Sequence, residues 1–274
     1  MNDTAPADQT GSAGIAEAVP EAGVAEIVID RPGQRNSLSL SVLEALGAAF
    51  LRAGAREDIK AIVLSANGPA FSAGHDLKEL IAHRADADGG RDFFERAMQA
   101  CTAMMQSILA CPKPVIAAVE GTATAAGCQL VATCDLAVAA GDARFCTPGV
   151  NIGLFCSTPM VALTRNVPAK RAMEMLLLGE MIDAQLAADW GLVNRVVPKG
   201  EARAAALGLA RQIASKSPVT VAIGKRTFYD QIQLPVDEAY TLAARVMVDN
   251  LLAQDAAEGI SAFVEKRIPR WQGW

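Results

Sequence analysis

Apolar residues along this chain gather in short blocks, and the spacing inside each block predicts the element it builds. Residues 24–30, 60–65, 115–119, 136–140 and 193–197 are strand-length runs of β-type composition. The segments between them carry apolar residues at helical spacing. That alternation predicts a parallel sheet with crossover helices. After Arg31-Pro32-Gly33, Ser39 reads as an N-cap, and Leu40, Leu43, Leu46, Ala49 and Phe50 share one face of the helix it starts. Beyond roughly residue 159 strands become rare. Ala172, Met175, Leu176 and Leu178, closed by Gly179, predict a helix with a glycine stop. Two later stretches, 237–252 and 256–267, keep apolar residues on one side. A peripheral helix pair has little of its own chain to bury against, so a subunit interface is expected there.

Length and composition bound the organisation. A chain of 274 residues fits one α/β domain with a helical appendage. The expected division is a disordered tail over 1–20, a core over 21–200 and a C-terminal helical region over 201–274. The tail is rich in Ala, Gly, Pro and acidic residues and has no Lys or Arg, unlike a signal or transit peptide. A net charge of -5 offers no basic surface, which argues against nucleic acid as a partner. No apolar run is long enough to span a bilayer, so no membrane span is expected. Six cysteines with no CxxC pair read as small buried hydrophobes in a reducing compartment, and the expected location is cytoplasmic.

Two segments carry candidate chemistry. Gly68-Pro69-Ala70-Phe71-Ser72-Ala73-Gly74-His75-Asp76-Leu77-Lys78-Glu79-Leu80 follows a predicted strand and leads into a helix. A turn there can aim backbone N–H groups at a ligand oxygen, although an ordinary strand-to-helix turn has the same outline. Glu120-Gly121-Thr122-Ala123-Thr124-Ala125-Ala126-Gly127-Cys128-Gln129-Leu130 repeats the plan, with small residues that allow close backbone approach or tight helix-on-sheet packing. Two such loops can share one oxyanion, a contribution of roughly 10² to 10³ in rate for each donor.

Together these segments resemble the crotonase (enoyl-CoA hydratase/isomerase) superfamily. The first matches a Phe-Cys-Ala-Gly-Ala-Asp-Leu-Lys pattern and the second a Gly-x-Ala-x-Gly-Gly-Gly-Cys-Glu-Leu pattern. The likeness extends to Arg35-Asn36-Ser37-Leu38, Cys134-Asp135-Leu136, Gly191-Leu192-Val193 and the run from Glu258 to Arg267. It implies the crotonase ββα spiral with a C-terminal helical trimerisation region, assembled as a homotrimer or a dimer of trimers. It implies an acyl-CoA thioester as ligand and no cofactor beyond the CoA of the substrate, in keeping with the lack of a metal motif or nucleotide-phosphate loop. The oxyanion donors fall on the backbone of His75 and Ala126. The CoA contacts fall on Arg35, Ser37, Leu38, His75, Asp76, Leu77 and Lys78, with Phe263 and Lys266 reaching adenine or phosphate from a neighbouring subunit.

The departures from that pattern bear on the reaction. Gln129 stands where a hydratase has its first glutamate and Gly149 where it has its second. Neither exchanges a proton near neutrality, and general acid–base catalysis typically contributes roughly 10² to 10⁴ per group. Ser157 occupies the place where other members carry a further carboxylate. Asp135 and Asp76 match positions that are structural or adjacent to CoA. His75, in place of a small residue, is the titratable side chain closest to the chemistry, and its expected fates are packing, CoA contact or proton transfer. Cys128, Cys146 and Cys156 lie near the site with no histidine partner in sequence. Three readings follow: a family enzyme acting on a CoA thioester through an oxyanion hole, a silent acyl-CoA sensor or scaffold, and a true enoyl-CoA hydratase with another acid or base.

Overall fold

The computed structural model describes residues 13–274. Strands β1 (Ile15–Glu21) and β2 (Val24–Ile29) pair antiparallel. The expected tail therefore ends earlier than residue 20: it is a strand from Ile15 onward, and its first part, 1–12, lies outside the described residues. β1 escaped notice because it is a sheet edge. It buries Ile15 alone and is held by backbone pairing, which needs no apolar run.

Helix α1 (Leu40–Ala55) starts where Ser39 Oγ accepts from Val42 N–H, and its buried face includes Leu43, Leu46, Ala49 and Phe50. Next come β3 (Ala61–Ala66), β4 (Ala70–Ser72), α2 (Leu77–Ala82) and α3 (Arg91–Ala110). A shorter turn of the same kind follows: β5 (Val115–Val119), β6 (Thr122–Thr124) and α4 (Ala126–Thr133). The third turn is β7 (Leu136–Ala140), β8 (Arg144–Cys146) and α5 (Ser157–Leu163). Each turn lays a long strand in one sheet and a short strand in another, then a helix. After α6 (Ala169–Leu178), closed by left-handed Gly179, come β9 (Ile182–Asp183), α7 (Ala184–Asp189), β10 (Arg195–Val197) and α8 (Ala202–Ala214).

The large sheet runs β1-β2-β3-β5-β7-β10 and is parallel apart from β1. The small sheet runs β4-β6-β8-β9 and is parallel apart from β9. Strand alternation sorts the large sheet's residues into two cores. Ile62, Leu64, Val115, Ala117, Val119 and Ala139 face the core shared with α1, α3 and α4. Ala61, Val63, Ile116, Ala118 and Val138 face Ala202, Ala206 and Ala210 of α8. Both faces are covered, which is why these strands read as continuous apolar runs.

The chain ends in α9 (Pro218–Gln231), α10 (Val236–Leu252) and α11 (Gln254–Glu265). Lys225 of α9 is driven into the core, where its Nζ donates to the carbonyls of Ile108 and Lys113 and to Asp135 Oδ2 at 2.7 Å. Tyr229 OH donates to Asp135 Oδ1. α10 and α11 leave Tyr240, Met247, Leu252 and Phe263 exposed, and Ile268 just beyond α11 is exposed as well. No helix among the described residues is long and apolar enough to cross a membrane.

Candidate functional site

The turn from Arg35 to Leu38 and the loop after β4 are bonded into one unit. Arg35 and Asn36 both adopt left-handed backbone, and buried Asn36 holds the turn there by donating to the carbonyls of Asn67 (2.8 Å) and Ala70 (2.7 Å). Leu38 N–H donates to Gly74 O, and Asp76 N–H donates to Leu38 O. Asp76 Oδ1 accepts from Lys78 and Glu79 N–H as the N-cap of α2, while its Oδ2 accepts from Ser37 Oγ–H. Asp76 and Ser37 therefore use their polar groups on the loops. The side chain of Leu38 is buried in the core, its N–H donates to Gly74 O and its carbonyl accepts from Asp76 N–H.

The second loop presses on the first. A Cβ added to Gly74, which has φ +86°, would stand 2.9 Å from Ala125 Cβ and 3.2 Å from Ala126 N. One added to Gly127 would run into the Ser72 carbonyl, so only glycine permits α4 to lie this close to β4. Ala126 is the first residue of α4, where N–H groups have no intrahelical acceptor. Neither His75 N–H nor Ala126 N–H has an acceptor among the described residues. Two unengaged amides thus lie on abutting loops, at a helix start whose dipole favours negative charge. The backbone strain falls on Ala125, not Ala126: Ala125 sits at φ 50°, ψ -117°, a region essentially reserved for glycine.

Gln129 and Gly149, the positions that the resemblance sets against the hydratase glutamates, are both enclosed. Gln129 is 6% exposed, and its Oε1 stands 4.0 Å from the Cys101 thiol. Gly149 is the second residue of a short 3-10 turn, Pro148–Ile152, and a Cβ there would meet Leu154 O at 2.8 Å and Cys156 Sγ at 2.9 Å. The sulfur and a carbonyl fill the space through which a longer side chain would have to leave. All six cysteines are free and buried. Burial pushes the Cys101 and Cys146 thiols up to about 11 and raises that of Cys156 as well, so none is a ready thiolate.

His75 is the one histidine in these loops. Burial lowers its pKa below the usual 6.5, against a smaller opposing effect from a backbone hydrogen bond with Leu38. Its Nε2 is buried without a partner, as is the hydroxyl of fully enclosed Thr147. In the sequence Thr147 stands two residues before Gly149 in a run, 147–159, that resembles the family, but its residue type pointed to no role. His83, in contrast, lies at the end of α2, stacked on Phe93 and paired with Asp86. Arg35 and Lys78 are exposed and make no ion pair among the described residues, and Leu77 is exposed as well. Phe263 and Lys266 belong to α11 and its left-handed cap, which pack against α9 and α10. Asp135 is committed to Lys225 and Tyr229, and Ser157 opens α5.

A cleft of about 460 Å³ opens elsewhere, among Asn67, Glu120, Asp142, Lys199 and Arg203. Its charges are matched within the chain: Lys199 pairs with Asp142, Arg203 with Glu26, and Glu120 accepts from the N–H groups of Gly200, just before α8, and Ala202, its first residue. No group of His, Cys, Asp or Glu among the described residues is placed to hold a metal ion.

Comparison with known proteins gives one consistent answer. A family model described as enoyl-CoA hydratase/isomerase matches residues 20–274. The mitochondrial enoyl-CoA hydratase domain-containing protein 3 of Mus musculus is 51% identical over 91% of this chain and 81% of its own length. Carnitinyl-CoA dehydratase of Salmonella typhi is 33% identical over 91% of this chain and 95% of its own. Among solved structures, human enoyl Coenzyme A hydratase domain-containing protein 3 superimposes with a TM-score of 0.89 at 47% identity, covering 94% of this chain and 100% of that one. An enoyl-CoA hydratase from Mycobacterium smegmatis also gives 0.89 at 47% identity, covering 94% and 98%.

Proposed function

Because this chain belongs to the enoyl-CoA hydratase/isomerase family over residues 20–274, we propose that it acts on an acyl-CoA thioester held by the backbone N–H groups of His75 and Ala126. The fold is the crotonase one, including its C-terminal helices. The observation that supports the reading is the close approach of Gly74 to Ala125 and Ala126, with an unengaged amide next to Gly74 on one loop and at Ala126 on the other. Donors fixed in this way stabilise a thioester oxygen as it gains charge, without reorganising during the reaction. Arg35 and Lys78 lie next in sequence to those loops and suit the phosphates of CoA. No cofactor beyond the CoA of the substrate is required.

With glutamine at 129 and glycine at 149, the site retains electrostatic stabilisation and loses carboxylate proton transfer. Simple hydration of an enoyl thioester should therefore be slow, and the supported activity is one that leans on the enolate or the polarised carbonyl. The same two positions favour a second reading, a silent acyl-CoA sensor or scaffold. We also propose a homotrimer, alone or stacked as a dimer of trimers. Exposed apolar residues on α5 and α6 (Val161, Met173, Leu177) differ from those on α10 and α11, and two unlike faces can join in a closed ring. That arrangement offers Phe263 and Lys266 to a neighbour's CoA. Six buried free thiols suit a reducing compartment, for which we propose the cytoplasm; the word mitochondrial belongs to the relatives' names.

The oxyanion reading is tested by calorimetric titration with butyryl-CoA and with S-butyl-CoA, a thioether of equal length that lacks the carbonyl. Two hydrogen bonds to the missing oxygen should make the thioester bind about tenfold tighter or more. Equal affinities, or no binding of butyryl-CoA, would remove the reading.

A further inference from the structure

Helix α11 has little packing of its own, since it buries only Asp255 and Ala262. The segment that follows holds it instead. Left-handed Lys266 turns the chain back at the end of the helix, where Arg267 N–H donates to Ala262 O. Residues 267–274 then run back along α11 toward its first turn. Arg270 N–H donates to Glu258 Oε1 at 2.7 Å, and Gln272 and Gly273 N–H donate to Asp255 Oδ1 at 2.6 and 3.2 Å. Asp255 N–H returns a bond to Trp274 O. Between these bonds the Trp271 ring lies so close to Gly259 that a Cβ there would stand 3.1 Å from it.

The other side of this strap is fixed to the link between α8 and α9. Trp271 Nε1–H donates to Ser215 O at 2.8 Å. Ser217 caps α9 by accepting from Thr220 N–H and donates its own proton to Asp255 Oδ2 at 2.6 Å. Asp255 is 1% exposed, and a carboxylate buried to that degree is tolerated only when its oxygens are satisfied. Apart from Ser217, every donor to them among the described residues comes from the strap. The turn into the strap also sorts the charges around it. Arg267 takes both nearby carboxylates, Glu258 through two bonds and Glu265 through one. Lys266 makes no ion pair among the described residues, and Phe263, one turn earlier, is exposed.

We propose that residues 267–274 are a strap that fixes α11 for ligand binding, with Asp255 and Trp271 as positioning residues that act through Phe263 and Lys266 on the adenosine end of a CoA held by a neighbouring subunit. The proposal rests on the acyl-CoA reading above and adds the residues that set how tightly the carrier, as distinct from the acyl group, is held. A helix with so little buried surface presents its side chains reliably only when something else orders it. Ordering it in advance removes that cost from binding.

The test compares butyryl-CoA with S-butyryl-phosphopantetheine, which keeps the acyl group and one phosphate and lacks the adenosine end. Affinities of the full chain are measured by calorimetric titration, the weaker ligand by displacement, for the natural sequence and for Asp255→Ala, Trp271→Ala, Trp271→Phe and Gly259→Leu. The natural chain should bind butyryl-CoA about tenfold tighter than the shorter thioester or better. That ratio should fall about fivefold or more in Asp255→Ala and Trp271→Ala, with affinity for the shorter thioester unchanged. It should persist in Trp271→Phe, which keeps a ring on Gly259. Gly259→Leu should lower it although leucine is the better helix former, because its side chain takes the place of the Trp271 ring. A merely structural strap would weaken both ligands together and leave the ratio alone. A ratio near one in the natural chain, or one unchanged in the strap variants, overturns the proposal and leaves the acyl-CoA reading standing. So does a fall that comes with dissociation on a sizing column, which would assign the strap to subunit contact. Failure of butyryl-CoA to bind overturns both. Should Asp255→Ala fail to fold by circular dichroism, Trp271→Ala and Gly259→Leu decide the matter.

Discussion

Ala125 shows how much of the site depends on a single backbone conformation. Its φ of 50° and ψ of -117° cost of order 1–3 kcal/mol for a residue with a Cβ, partly offset by the extra unfolded-chain entropy a glycine would bring, roughly 0.4–1 kcal/mol. Ala125→Gly should therefore raise the melting temperature slightly, and a lower one would show that the surroundings already accommodate the methyl group. Gly149 behaves in the opposite way. Because a Cβ there would meet Leu154 O and Cys156 Sγ, Gly149→Glu should destabilise by about 1–3 kcal/mol rather than restore a catalytic carboxylate; denaturant midpoints measure this directly. His75 supplies a pH dependence. Its folded pKa lies below the usual 6.5, so under acid conditions the unfolded chain binds a proton that the folded chain resists. The stability tied to His75 is complete above about pH 6.5 and declines below it, and urea midpoints should fall further on acidification in the natural chain than in His75→Gln. At this scale the proposed donors were suggested by residue order around Gly74 and Gly127. The location of strain at Ala125 rather than Ala126, the enclosure of Gly149 and the orphaned Thr147 hydroxyl depend on contacts between loops distant in the chain, and no local pattern encodes those.

Among the elements, α9 is tied to the core by a charge pair that is nearly enclosed, Lys225 at 6% and Asp135 at 14% side-chain exposure. Removing one partner of such a pair strands the other, at a cost of about 3–5 kcal/mol. Lys225→Met should lose that much by chemical denaturation, whereas Arg226→Met, which breaks the exposed pair with Asp230, should change stability by less than about 0.5 kcal/mol. Equal effects would mean that Lys225 does not anchor the helix. The long strands β3, β5 and β7 and helices α1, α6 and α10 were legible because each repeats its period over several residues. Strands β4, β6, β8 and β9 were not, since each has only two or three residues and alternation cannot be read over so few. They matter nonetheless, because β4 and β6 set the two donor loops side by side.

At the scale of the whole molecule, the exposed apolar residues of α10 and α11 set the expectation for assembly. Light scattering behind a sizing column should return three or six times the chain mass of 28.6 kDa, and a monomer would contradict the proposed ring. The sequence pointed to this region through its one-sided helices, while the partner surface on α5 and α6 appeared only once those helices were placed. The account as a whole holds that the fold keeps the thioester-binding loops and has given up carboxylate proton transfer. Its most direct test follows the loss of conjugated enoyl-thioester absorbance when the protein is mixed with crotonyl-CoA, beside an active hydratase and an enzyme-free sample. A slope close to the enzyme-free one is the predicted result. Turnover comparable to the active hydratase would contradict it and make His75 the first group to examine as the proton carrier.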